Sequence, residues 1–81
     1  MTDLEILAKY MELEQVDVDG RKAFCIKTFF CWEEDFDPKR VPHQLYQLAE
    51  TYKERSNKDD LDIDDHIMQL AILKTVLMKG S

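Results

Sequence analysis

The chain has few residues that bend, crosslink or break a backbone. Two Gly and two Pro among 81 residues are too few for a loop-rich or disordered chain. Serine occurs only as Ser56 and Ser81. No Gly-rich phosphate loop, Walker signature or nucleophile elbow is present, so phosphoryl transfer and serine chemistry find no footing. The two cysteines, Cys25 and Cys31, would lie roughly 20 Å apart on one continuous strand, beyond disulfide reach, and reduced buried thiols are the expectation. A thiolate paired with His43 is the one catalytic arrangement open to them, and buried strand thiols are ordinarily inert. The chain is therefore read as non-enzymatic.

Metal and cofactor signatures are equally scarce. His43 and His66 have no second His or Cys at the spacing a zinc site uses. The run Asp59, Asp60, Asp62, Asp64, Asp65 invites a calcium loop, but counted from Asp60 it places Asp65 where Gly is needed and Ala71 where a bidentate Glu is needed. No cofactor and no metal are expected.

Positive charge is in the minority. Eleven Lys and Arg against 17 Asp and Glu leave a formal charge of −6, which opposes direct nucleic-acid binding and favours basic partner surfaces. Phe24, Phe29, Phe30 and Trp32 beside Arg21, Lys22 and Lys27 have the composition of a base-stacking strand. Glu33, Glu34 and Asp35 follow directly and would repel phosphates, so core aromatics are the better account. Long apolar runs are missing too: the longest such segment carries Gln69 and Lys74, which speaks against a membrane span. The N-terminal MTDLEILAKY lacks the features of a signal peptide. A cytoplasmic location is expected.

What is present is periodicity. Thr2 and Glu5 form a capping box for a first helix reaching about Leu13, with Leu4, Leu7, Ala8 and Met11 on one face. Val16 and Val18 then alternate with polar residues, and Asp19-Gly20 predicts a two-residue turn into a strand from Lys22 to Trp32. On that strand Phe24, Ile26, Thr28, Phe30 and Trp32 would share one face, and Ala23, Cys25, Lys27, Phe29 and Cys31 the other. Pro42 suits the first position of a helix carrying Leu45, Leu48, Ala49 and Tyr52, with Gln44 and Gln47 on its polar side. The last helix is predicted over Asp62 to Lys79, with Asp62 as N-cap and Gly80 as its stop.

That last helix organises the rest. Ile63, Ile67, Leu70, Leu77 and Met78 fall along one side, and Met68, Ile72 and Val76 along nearly the opposite side. A helix apolar on two faces is buried between layers or shared with a partner. The fold class that follows is α+β: one compact domain over residues 1–81, helix, β-hairpin, helix, helix, mostly helical, around a central buried C-terminal helix. So short a chain buries a small core, and oligomerisation is a common remedy.

The function expected is a regulator, adaptor or inhibitor that binds another protein, self-associates, and is of a kind that a phage or mobile element could encode. Met68, Ile72, Val76 and Lys74 are the candidate interface. Glu33, Glu34, Asp35, Asp37, Asp59, Asp60 and Asp62 are the candidate acidic surface toward a basic target. The alternative is a nucleic-acid mimic, whose carboxylates copy phosphate positions and occupy a DNA- or RNA-binding protein.

Overall fold

The computed structural model describes residues 2–26 and 29–80. Three helices and a three-stranded antiparallel sheet form an α+β domain. Helix α1 spans Asp3–Tyr10, and strands β1, β2 and β3 span Glu14–Val18, Arg21–Ile26 and Phe29–Trp32. A 3-10 turn over Glu33–Asp35 leads to α2, Pro42–Ser56, and α3, His66–Gly80. No helix among the described residues is long and apolar enough to cross a membrane.

The local signals act where the residues place them. The Thr2 hydroxyl accepts from the Glu5 amide at 3.2 Å, satisfying one orphan donor of α1. Asp19 and Gly20 both take positive φ, 53° and 81°, so they close a two-residue turn whose twist matches the strands it joins. Val18 faces Arg21 across that turn, and the Gly20 amide donates to Asp17 Oδ1 at 2.9 Å. Pro42 opens α2, and Asn57, left-handed at φ 53°, closes it.

One expected strand is two. The chain reverses between Ile26 and Phe29, which face each other in the β2–β3 register. Lys27 and Thr28, which the sequence pattern assigned to opposite strand faces, lie outside the described residues. The reversal exchanges the faces of everything after it. Phe24 now pairs with Cys31 and Cys25 with Phe30, so Phe24, Ile26, Phe29 and Cys31 share the inner face and Ala23, Cys25, Phe30 and Trp32 the outer one. Burial follows: Phe29 is buried and Phe30 is 51% exposed, the reverse of what a single strand with Phe30 on the main face would give.

The core gathers Leu7 of α1 and Met11 at its C-cap, Leu45, Leu48 and Ala49 of α2, and Ile72, Leu73 and Val76 of α3, closed by Phe36 and Ile63 from the connections. Phe24 reaches it from the sheet and meets the Phe36 ring edge-on at 5.2 Å. In α1, Ile6 is buried and Leu4 exposed, a rotation from the expected stripe. At Gly80 α3 packs tightly on α1: a Cβ built there would run into Ile6 Cγ2.

Two buried glutamines hold the connections. Gln44 Oε1 accepts from the Asp37 amide at 2.5 Å while its Nε2 donates to the Asp35 carbonyl at 3.0 Å. Gln69 Nε2 donates to the Ile63 carbonyl at 2.6 Å. The N-cap of α3 is Asp65, whose Oδ1 accepts from the Ile67 amide at 3.0 Å, and not Asp62. Asp62 instead turns the preceding loop by accepting from the Asp64 amide.

Candidate interface surfaces

Helix α3 decides which of its two apolar stripes is available. At about 100° per residue, Gln69, Ile72, Leu73 and Val76 lie on one side, and all four are buried. Ile67, Leu70, Ala71, Lys74 and Met78 lie on the other, and all five are exposed. The expected interface is corrected accordingly. Ile72 and Val76 belong to the core, at 3% and 4% exposure, and Met68 packs half-buried against it. Lys74 alone of the four points outward, because it stands roughly 160° from Val76 around the helix axis. The exposed residues belong to the other stripe: Ile67 is 77% exposed, Leu70 43% and Met78 68%, while Ile63 of that stripe is buried. Both stripes were visible in the sequence. Choosing between them needed the positions of α1 and α2, which cover the side that carries Gln69.

The outer sheet face is partly open: Phe30 is exposed, Val16 and Trp32 are half-buried and Ala23 is buried. Val16, Ala23 and Trp32 stand side by side across the three strands. The Arg21 guanidinium lies 4.0 Å above the Trp32 ring and pairs with Glu34, and Phe30 meets Trp32 edge-on at 5.3 Å. The Trp32 face that a base would stack upon is thus already covered by Arg21.

The expected acidic surface divides into two parts. Near the sheet, Glu33 accepts from Gln15 at 2.8 Å, Glu34 pairs with Arg21, and Asp37 holds Arg40 at 3.6 Å and caps its own loop. Those carboxylates are occupied by partners within the chain, and Asp35 stands exposed beside them. Before α3, Asp59, Asp60 and Asp62 are all exposed, and no ion pair to them exists among the described residues. A concentration that the sequence did not reveal lies elsewhere. Glu12 and Glu14 meet Glu50 and Glu54 of α2 around a cleft of 470 Å³ that also reaches Cys25 and Arg55. Four glutamates from distant segments border one cleft only in the folded chain, so no local motif could announce them. Among the described residues, no group of His, Cys, Asp and Glu is arranged to hold a metal ion.

The two thiols considered from sequence stand apart in the sheet. Cys25 and Cys31 lie on opposite sheet faces and are both free. Burial, with a smaller contribution from the Asp35 carboxylate, pushes the Cys31 thiol above its ordinary range. That is the opposite of an activated thiolate. His43 stacks on Phe29 at 5.8 Å, and His66 stands exposed in the first turn of α3.

A groove of 430 Å³ opens between the ends of the three helices. Ile6 and Val76 line it with apolar surface, and Lys9, Arg55 and Lys79 bring cations to it. The Arg55 guanidinium sits 4.6 Å above the Tyr10 ring and bonds Glu12 at 3.1 Å. Burial pushes the Tyr10 phenol above its usual range; Arg55 opposes the shift and Tyr52 adds to it.

Comparison of the chain with protein-family models, with curated proteins and with solved structures gives no match.

Proposed function

We propose that the chain is a non-enzymatic regulator, adaptor or inhibitor that works by occupying another protein, and that it does so as a homodimer formed through the outward face of α3. The carrying observation is the row Ile67, Leu70, Ala71, Lys74 and Met78, apolar but for one residue and exposed along the whole helix. Isolated exposed hydrophobes need no explanation, whereas a contiguous helical stripe is the form that helix–helix recognition takes.

An antiparallel arrangement suits the charges. A twofold axis near residues 71 to 74 sets Ile67 of one copy beside Met78 of the other. It brings Asp65 and the positive N-terminal end of α3 toward Lys79 and the negative C-terminal end of its mate. Lys74, near the middle, keeps its stem on the apolar surface and lifts its ammonium group to water. Fifteen helical residues extend about 22 Å, so the contact is at the small end of specific interfaces and the dimer is reversible. The glutamates of the Glu12–Glu54 cleft and Asp59, Asp60 and Asp62 stay outside it, free to steer a basic target surface.

The second reading is the nucleic-acid mimic, favoured by the exposed aspartates at 59, 60, 62, 64 and 65. It draws less from 33–37, where intramolecular partners occupy the carboxylates. Absolute mass by light scattering behind a sizing column, at about 0.05 M and about 1 M salt, separates the readings. A dimer retained at both salts supports the apolar contact. A monomer at both ends the homodimer reading and turns attention to partners captured in a salt-sensitive way.

A further inference from the structure

We propose that the groove between the three helix ends is a binding site for a small carboxylic acid with an apolar body. Its volume, 430 Å³, lies within the usual range for small-molecule sites, and its composition has the usual form of an apolar wall with a few converging polar groups. Ile6 and Val76 provide the wall. Lys9 from α1, Arg55 from α2 and Lys79 from α3 reach the same opening from three different elements.

The charge at this groove stands against that of the molecule. The chain carries −6 overall, yet among the described residues no carboxylate lines the groove, and three cations do. Each of these cations also lies in the last turn of its own helix, where it offsets the partial negative charge of about half a unit at that end. Three such ends leave a positive surplus. Glu12, 80% exposed, holds Arg55 from outside, while no ion pair to Lys9 or Lys79 exists among the described residues. The ammonium groups are therefore available to an incoming carboxylate. Arg55 is fixed over Tyr10, so part of the site is ordered before the ligand arrives.

The groove adjoins the Val76 side of α3, opposite the row from Ile67 to Met78. The inference is thus independent of the proposed dimer, and either can fail alone.

The test uses 4-phenylbutyrate, which joins an aromatic body to a carboxylate. Its uncharged amide and the corresponding amine serve as shape-matched controls. Amide-resolved NMR titration of the full chain follows the three ligands. The expected result is saturable binding of the acid with a Kd on the order of 1 mM or tighter, with shifts centred on Ile6, Lys9, Tyr10, Arg55 and Lys79. The amide binds roughly tenfold more weakly, and the amine more weakly still. The double variant Lys9→Gln, Lys79→Gln lowers affinity for the acid by roughly tenfold and leaves amide binding unchanged. Both positions are exposed, so the fold is kept, and a thermal melt checks this. Equal binding of acid, amide and amine, shifts centred elsewhere, or no saturation with the acid would overturn the proposal.

Discussion

Replacing Gln44 by leucine keeps the size of the side chain and removes what ties the loop after the sheet to the first turn of α2. Gln44 is 5% exposed and makes two hydrogen bonds, one accepted from the Asp37 amide and one donated to the Asp35 carbonyl. Each bond contributes about 1 kcal/mol net, and a buried backbone group left without a partner costs about 1–3 kcal/mol. Asp35 is exposed and Asp37 half-buried, so water recovers part of the second cost. The leucine adds some apolar burial in return. The net expectation is a loss of about 2 kcal/mol, which for a domain of this size lowers the melting temperature by about 8–16 °C. Urea denaturation followed by circular dichroism, with an unchanged slope, reads the same quantity. Gln15→Ala serves as the control, because its bond to Glu33 is exposed and its loss stays within about 0.5 kcal/mol. A Gln44→Leu variant as stable as that control would refute the clamp on the Asp35 and Asp37 backbone.

Three further outcomes follow from the packing and the titrating groups. Gly80→Ala lowers the melting temperature in the native background and much less beside Ile6→Ala, because the added methyl meets Ile6 Cγ2; additive effects in this double-mutant cycle would contradict the close approach of α1 and α3. Leu48→Ala, at a fully buried position, costs about 2–5 kcal/mol in urea denaturation, and a loss below about 1 kcal/mol would place Leu48 outside the core. The raised pKa of Cys31 means that its thiol contributes stability in full below the unfolded value of about 8.5, and that this contribution is lost as pH rises through the folded value. The urea midpoint therefore falls more steeply above that pH for the native chain than for Cys31→Ala, and equal slopes would remove the cause assigned to the shift.

Local signals were legible because one or two neighbours decide them. Thr2 caps, Asp19-Gly20 turns, Pro42 starts a helix, and each depends on its own backbone. The break in the long apolar strand was not legible, since Lys27-Thr28 carries none of the residues that announce a turn. The gain that fixes it is the burial of Phe29 and Cys31 beside Phe24, a nonlocal term. Gln44 and Gln69 were hidden for the same reason: a polar residue on a helix reads as solvated until a loop presents a backbone group to it. The stripe of Met68, Ile72 and Val76 was recognised as apolar, and its rank as core followed only from where α1 and α2 settle. The glutamates around the Glu12–Glu54 cleft lie far apart in sequence, so only the fold brings them together.

The most direct test of the proposed pairing is the absolute mass of Ile67→Lys, Leu70→Lys beside that of the native chain, at matched concentration and low salt. Both side chains are exposed, so the domain keeps its fold while two charges on the outward face of α3 are set against the apolar row around Met78 of its mate. A native dimer and a monomeric variant with the same thermal melt are expected. A variant that stays dimeric would move the contact to another surface, the outer sheet face first among them, and a native chain that is already monomeric would contradict the pairing outright.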